Sequence, residues 1–428
     1  MRKLKRHKKI FLVYCSIVFG ILVFTKCINN ESEKKETTEI TDTSSLKIIP
    51  VKNITYEQFA GSVVCANCHK KIYDNYIHTA HNFTSQIASA KSIKGSFKPG
   101  ENFFAYNEDR IVRLEKKDSG FYQVYYYQGA EHVVRKFDIV VGSGTKGQTY
   151  LSWVNNQLIE LPVSYFTAYK TWANSPGYPL YPTLFNRPAT TRCMECHSTY
   201  AATLTPSMQE PEKFDSTKII LTVGCEKCHG PAARHVAYQT QNPKDTVGKF
   251  IVNPAKLSTK LNIDVCALCH AGRLQKTKPS FEFVAGDTLS NYFIIDTTAK
   301  NINDLDVHGN QFGLLAASKC FKMSKTMTCI TCHDAHKNER KNMQIFSQRC
   351  MSCHTTQHKT VEGISINQLK NNCIDCHMPL QQSMSIGFLL QGETVPTHAM
   401  MRTHFIAVYS DETKKFINNL VSSQKKKS

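Results

Sequence analysis

Cys329-Ile-Thr-Cys332-His333, Cys350-Met-Ser-Cys353-His354 and Cys373-Ile-Asp-Cys376-His377 are three copies of one pentapeptide within residues 329–377. Four more copies lie upstream, at Cys65-Ala-Asn-Cys68-His69, Cys193-Met-Glu-Cys196-His197, Cys225-Glu-Lys-Cys228-His229 and Cys266-Ala-Leu-Cys269-His270. Cys-x-x-Cys-His is the attachment signature of c-type haem. Two thiols three positions apart reach the two vinyl groups on one porphyrin edge within a single turn of chain. The next residue, an imidazole, then lies under the iron as its proximal ligand. Zinc ribbons, redox dithiols and disulfides also use Cys-x-x-Cys pairs, but none of them needs a histidine directly after the second cysteine. Histidine is scarce here, 17 of 428 residues. Its recurrence in all seven copies is therefore not a composition effect. The motifs use 14 of the 17 cysteines and leave Cys15, Cys27 and Cys320, so no disulfide framework remains to be built.

These spacings carry a fold expectation. Seven haems in 428 residues leave about 61 residues per cofactor, and porphyrin faces replace much of the usual aliphatic core. The expected architecture is mainly α, with extensive irregular loops around the haems and a small inserted antiparallel β region. The insert is placed at 102–163, where cysteine is absent. There Phe103-Phe-Ala-Tyr, Ile111-Val-Arg-Leu, Phe121-Tyr-Gln-Val-Tyr-Tyr-Tyr and Lys136-Phe-Asp-Ile-Val-Val alternate with Asn107-Glu-Asp, Asp118-Ser-Gly and Gln128-Gly. Gly142-Ser-Gly144-Thr-Lys-Gly147 matches G-x-G-x-x-G, but an extended segment follows it where a dinucleotide site needs a helix start. It reads as a turn. His132 reads as an ordinary strand residue.

The N-terminus is a targeting segment by its order of parts. Six of the first nine residues are Lys or Arg, and an apolar run, Ile10 to Phe24, follows. Residues 1–27 are expected to be a signal or membrane anchor, with Cys27 as a lipidation site only if Lys26 is tolerated before it. Residues 28–54 read as a flexible tether, 55–101 as the first haem segment, 164–410 as a six-haem region and 411–428 as a basic tail. Export fits the cofactor, because c-type haem is attached outside the bacterial inner membrane. The expected location is the periplasmic or outer-envelope side of that membrane. Two propionates per haem would draw the formal charge of +19 down toward about +5, so the basic balance does not call for a nucleic-acid partner.

An iron's second axial ligand comes from elsewhere in the chain. The preferred distal set is His81, His235, His308, His336, His358 and His404, with His78 and His398 in reserve. His78 and His81 share one helix face. Gly230-Pro231 turns the chain back to present His235. His336 and His358 follow their nearest motif histidines too closely to bind the same iron, but they can reach a neighbour. Six preferred residues for seven irons leave one haem open for a substrate if neither reserve histidine binds. Met323 and Cys320 read as core filling.

Several stretches together resemble the multihaem family around cytochrome c-554. They are Cys65-Ala-Asn-Cys-His with Thr79-Ala-His81, Gly224-Cys-Glu-Lys-Cys-His-Gly-Pro with His235, Cys329-Ile-Thr-Cys-His-Asp-Ala-His336, and Cys373-Ile-Asp-Cys-His-Met-Pro379. The resemblance spans about residues 60–408. It implies a multihaem cytochrome architecture of mostly bis-histidine haems stacked in close pairs and passing electrons, with His81, His235 and His336 at positions of family distal ligands. The implied partners are redox donors and acceptors of the cell envelope. A second reading is an oxidoreductase acting on a small nitrogen or sulfur compound at a five-coordinate haem. The chain departs from the pattern in having no clear helical-repeat tail after residue 410 and no Cys-x-x-Cys-Lys site.

Overall fold

Two-residue loops with left-handed backbone set the register of two of the strand pairs. Gln128 (φ 49°) and Gly129 (φ 79°) close strand Gly120–Tyr127 onto Ala130–Lys136, and Asn155 (φ 49°) and Asn156 (φ 65°) close Gly147–Val154 onto Gln157–Glu160. Such turns match the twist of the strands they join. The structure is a computed structural model. It describes residues 53–180, 185–205, 212–295, 301–355 and 364–425, which belong to one compact unit, Ile48–Ser428. The targeting segment, nearly all of the tether, His358 and the three last residues of the tail lie outside the described residues. Among the described residues no helix is long and apolar enough to cross a membrane.

The expectation of a mainly α fold is overturned. Seventeen strands form five antiparallel sheets among the described residues. A four-stranded meander runs Phe103–Ala105, Arg110–Lys117, Gly120–Tyr127 and Ala130–Lys136. A seven-stranded sheet runs from Ser85–Ile87 through Ile139–Val141, Gly147–Val154 and Gln157–Glu160 to Arg187–Pro188; Val163–Phe166 joins it on Gly147–Val154 and carries Thr171–Asn174. Three hairpins lie among the motifs: Ser198–Thr203 with Phe214–Leu221, Leu274–Lys276 with Phe293–Ile295, and Leu380–Phe388 with Thr397–Arg402. The physical reason is that haem attachment needs little helix. The motif helices Cys329–Cys332, Cys225–His229 and Thr191–His197 are only 4, 5 and 7 residues long. The chain between them is free to pair as strands.

The apolar core sits between the two large sheets. Val112, Leu114, Phe137, Tyr150, Leu161, Val163 and Trp172 are almost wholly excluded from water there. Phe137 stacks on Tyr150 at 4.3 Å, and Trp172 closes over both. Gly95 makes that closure possible: a β-carbon on it would lie 2.0 Å from Cζ2 of Trp172. Gly95→Ala is therefore expected to destabilise the protein by about 2 kcal/mol or more through overpacking; a melting curve superimposable on the parent's would contradict this packing. Gly142-Ser-Gly144-Thr-Lys-Gly147 is a turn with φ +102° at Gly142 and +72° at Gly144, and it leads into a strand. His132 lies exposed on its strand between the rings of Tyr125 and Tyr127.

The C-terminal hairpin ties the haem-motif region to the sheets. Phe388 stacks on Phe166 at 4.2 Å, and the Gln391 side-chain amide both donates to and accepts from the backbone of edge residue Ala105.

Candidate haem-attachment centres

Three of the motif helices have starts prepared by the local sequence. Ser258 caps the helix Thr259–His270 at Leu261 N, and Asn342 caps Met343–Met351 at Ile345 N. The Thr328 hydroxyl and Thr331 close a capping box ahead of Cys329. Glu226, inside the third motif, is 4% exposed and accepts from three backbone N–H groups, those of Ala60, Gly61 and Ala232, each at 2.8 Å. One carboxylate thus pins the start of the first haem helix, Ser62–Tyr76, against the third site. Such a residue is hidden in sequence because it occupies a variable position of the motif.

The imidazoles are oriented by what their Nδ1 atoms meet. The Nδ1–H of His229 donates to Val252 O (2.7 Å), that of His377 to Ala407 O (2.9 Å), and that of His197 to Thr84 O (3.4 Å). His270 donates to Gln311 Oε1 (3.1 Å), whose Nε2 is in turn anchored on Val307 O and His308 O. An acceptor at Nδ1 fixes the proton there and leaves the Nε2 lone pair for a metal. Among the non-motif histidines, His235 on Lys249 O (2.8 Å) and His398 on Ser383 O (2.7 Å) share this arrangement.

Three motif histidines face a histidine from a distant part of the chain. Ring centroids lie 6.4 Å apart for His81 and His270, 6.0 Å for His229 and His336, and 6.1 Å for His333 and His404. Two metal–nitrogen bonds of about 2 Å, plus about 1 Å from each nitrogen to its ring centre, give about 6 Å for imidazoles on opposite sides of one iron. Burial, and then the facing histidine, push both His81 and His404 down to about 4. Burial also lowers His197, His229, His270, His308 and His333. All are neutral near pH 7, as ligands must be. His270, His308 and His333 are nonetheless exposed. His404 Nδ1 is buried without a hydrogen-bond partner. These residues fit the group that the motifs imply.

The other candidates are placed less tightly. His308 lies close enough to His197 to lower it, and His235 and His69 act likewise on His229. His78, His69 and His354 are exposed, and His235, His336 and His398 are half-buried. Cys320 and Met323 are not core: Cys320 is half-buried and Met323 is 75% exposed.

The motif cysteines meet between sites. Cys65 lies beside Cys225, Cys196 beside Cys269, Cys266 beside Cys329, and Cys350 beside Cys373. Cys68, Cys193, Cys228, Cys332, Cys353 and Cys376 are the remaining attachment candidates, and none is in a disulfide. Among the described residues no three His, Cys, Asp or Glu side chains converge as a metal-ion site.

A polar buckle joins the fifth and sixth sites. Arg349 holds Glu339 through both guanidinium nitrogens (2.7 and 2.5 Å) and donates to Cys332 O (2.8 Å); Glu339 also accepts from Asp334 N (3.1 Å). Arg349, outweighing burial, holds the Glu339 carboxyl below the usual carboxylate range. A depressed carboxylate stabilises the fold above its unfolded pKa, about 4.3, and loses that contribution as pH falls through the folded value. Glu339→Gln should therefore lower the melting temperature at pH 7 by an amount worth about 1 kcal/mol. The gap to the parent should close below about pH 4, and a gap independent of pH would rule out the ionised pair.

Three comparisons bear on these centres. Residues 167–230 match the family described as cytochrome c554 and c-prime. The chain is 26% identical over 210 residues to the C-type polyheme cytochrome OmcC of Geobacter sulfurreducens, covering 44% of this chain. It spans about a quarter, 26%, of that relative's length. In fold it is similar to the crystal structure of the outer cell wall cytochrome OcwA, with a TM-score of 0.52 at 14% identity over 84% of this chain and 81% of that one. The likeness to c-type cytochromes implies covalently bound c-type haem. This chain therefore carries a stretch similar to the cytochrome c554 family on a fold similar to that of an outer cell wall cytochrome.

Proposed function

We propose that this is an exported seven-haem c-type cytochrome that passes electrons along a chain of mostly bis-histidine haems. The observation that carries the reading is the set of three imidazole pairs, His81/His270, His229/His336 and His333/His404, each about one iron wide. Iron with two imidazoles has no open position, which favours electron transfer over bond chemistry. The cysteine contacts support an electron path with the first site beside the third, the second beside the fourth, the fourth beside the fifth and the sixth beside the seventh. When bound, the porphyrins supply the redox chemistry. The chain's own residues hold their edges close, orient each imidazole through Nδ1 and exclude water.

On this reading His197/His308 and His69/His235 form two further pairs, and His358 or His398 serves a remaining iron. The partners are redox proteins of the cell envelope, membrane association runs through the N-terminus, and the location is the periplasmic or outer-envelope side, in keeping with the outer cell wall named for OcwA. The oxidoreductase reading rests on one observation: His354 is exposed, and among the described residues no second histidine ring faces it. Electron paramagnetic resonance of the oxidised protein separates the two. Low-spin ferric signals unchanged by cyanide or nitric oxide support the carrier. A high-spin signal that disappears on adding either ligand supports the enzyme.

A further inference from the structure

Two imidazoles lean on one short loop. The Nδ1–H of His229 donates to Val252 O at 2.7 Å, and that of His235 to Lys249 O at 2.8 Å. Val252 N in turn donates to His229 O at 3.1 Å. Between the two acceptors Phe250 holds a left-handed backbone, with φ +56°. A bulky residue takes that conformation only at a cost, and it persists only where the surroundings impose it. Core burial does not offset the cost, because Phe250 is 52% exposed. Its ring sits instead on the helix that carries His235, Ala233–Gln241. The ring centre is 4.4 Å from the guanidinium carbon of Arg234 and 5.6 Å, edge-on, from the ring of Tyr238. The same helix grips the start of the loop: the Tyr238 hydroxyl donates to Asp245 Oδ2 (2.9 Å) and Gln239 Nε2 to Asp245 O (2.6 Å). The unusual backbone at Phe250 thus lies between two carbonyls, each turned onto a different imidazole.

We propose that Phe250 is a positioning residue that sets the reduction potentials of two haems together, the one attached at Cys225 and Cys228 and the one ligated by His235, by holding the carbonyls of Val252 and Lys249 against their imidazoles. The inference rests on the electron-transfer reading above. An acceptor at Nδ1 makes an axial imidazole more basic, and a more basic ligand favours the oxidised iron and lowers the potential. Phe250 acts only through the two carbonyls, so what matters is its backbone conformation and not its ring.

The test is potentiometry of the full haem-loaded protein, followed by visible absorption, for the parent, Phe250→Gly, Phe250→Ala and Phe250→Val. Haem content is counted on the same samples, and none of the changes alters the charge. Glycine takes a left-handed backbone freely, so Phe250→Gly is expected to keep the parent's potentials. Valine is strongly disfavoured there, so Phe250→Val is expected to keep every haem and move two redox components together to more positive potentials. Phe250→Ala is expected to fall between them. Unmoved potentials in a fully loaded Phe250→Val overturn the proposal, and where that variant does not load, Phe250→Ala decides by the same criterion. A shift of one component alone overturns it too. So does an equal shift in Phe250→Gly, which would assign the effect to the lost ring. A parent protein without haem would instead sink the underlying reading.

Discussion

Replacing His404 by alanine converts one haem, that attached at Cys329 and Cys332, from six- to five-coordinate, while haem content stays at the parent value. The geometry behind this expectation is a 6.1 Å gap between the His333 and His404 rings. The surroundings keep His404 neutral, its pKa pushed down to about 4 by burial and by His333. Its Nδ1 has no hydrogen-bond partner. Its loss leaves the covalent thioethers and the proximal imidazole in place. About one seventh of the iron should turn high-spin ferric and begin to bind cyanide or carbon monoxide. His81→Ala and His336→Ala should each do the same at the His270 and His229 centres. His78→Ala should change nothing, because that ring is exposed and one turn removed from the pairing. A His404→Ala protein with unchanged low-spin spectra would separate His404 from the iron.

The second large effect concerns folding without the cofactor. Buried apolar side chains are unevenly spread. Phe104, Val112, Leu114, Val124, Phe137, Val140, Tyr150, Leu158, Leu161, Val163, Phe166 and Trp172 are each no more than 2% exposed. From residue 301 to 377 the buried apolar residues among those described are Val307, Leu314 and Ile374, although three motifs lie there. A dozen buried large side chains contribute on the order of 20 kcal/mol of apolar burial, and three cannot offset the entropy of ordering that much chain. The chain expressed without haem attachment should therefore retain a protease-resistant core containing residues 85–174, while 301–377 exchanges its amides at unprotected rates. The loaded protein should protect both. An apoprotein whose 301–377 segment resists proteolysis as well as the loaded form would show that aliphatic contacts, and not porphyrin, hold that region.

Much of the site was legible because haem attachment is a local requirement: two thiols and an imidazole within five residues leave an unambiguous trace. The distal candidates His81, His336 and His404 were also visible as isolated histidines outside the motifs. Which motif each faces was not. His81 precedes the second motif in sequence yet faces the fourth, and His336 follows the fifth yet faces the third. Those pairings are set by how the hairpins return the chain, and no local pattern encodes them. The strands at Arg110–Lys117 and Gly120–Tyr127 were legible from alternation and turn residues. The hairpin Leu380–Phe388 with Thr397–Arg402 was not, because its polar strand, Leu-Gln-Gln-Ser-Met-Ser-Ile-Gly-Phe, lacks β-branched enrichment and follows a haem motif that reads as helix and loop. Fold class was misjudged because the motifs advertise helices, and several of those helices, such as Cys329–Cys332 and Cys225–His229, end after about one turn. Glu226 and Arg349 were missed because buried carboxylate staples and ion-pair buckles have no sequence signature.

The most direct measurement of the central claim is the intact mass of the purified mature protein, taken with a pyridine haemochrome assay on the same sample. Seven haems per chain, retained after acid–acetone extraction, is the expected result. A colourless protein whose mass equals that of the bare polypeptide would contradict it.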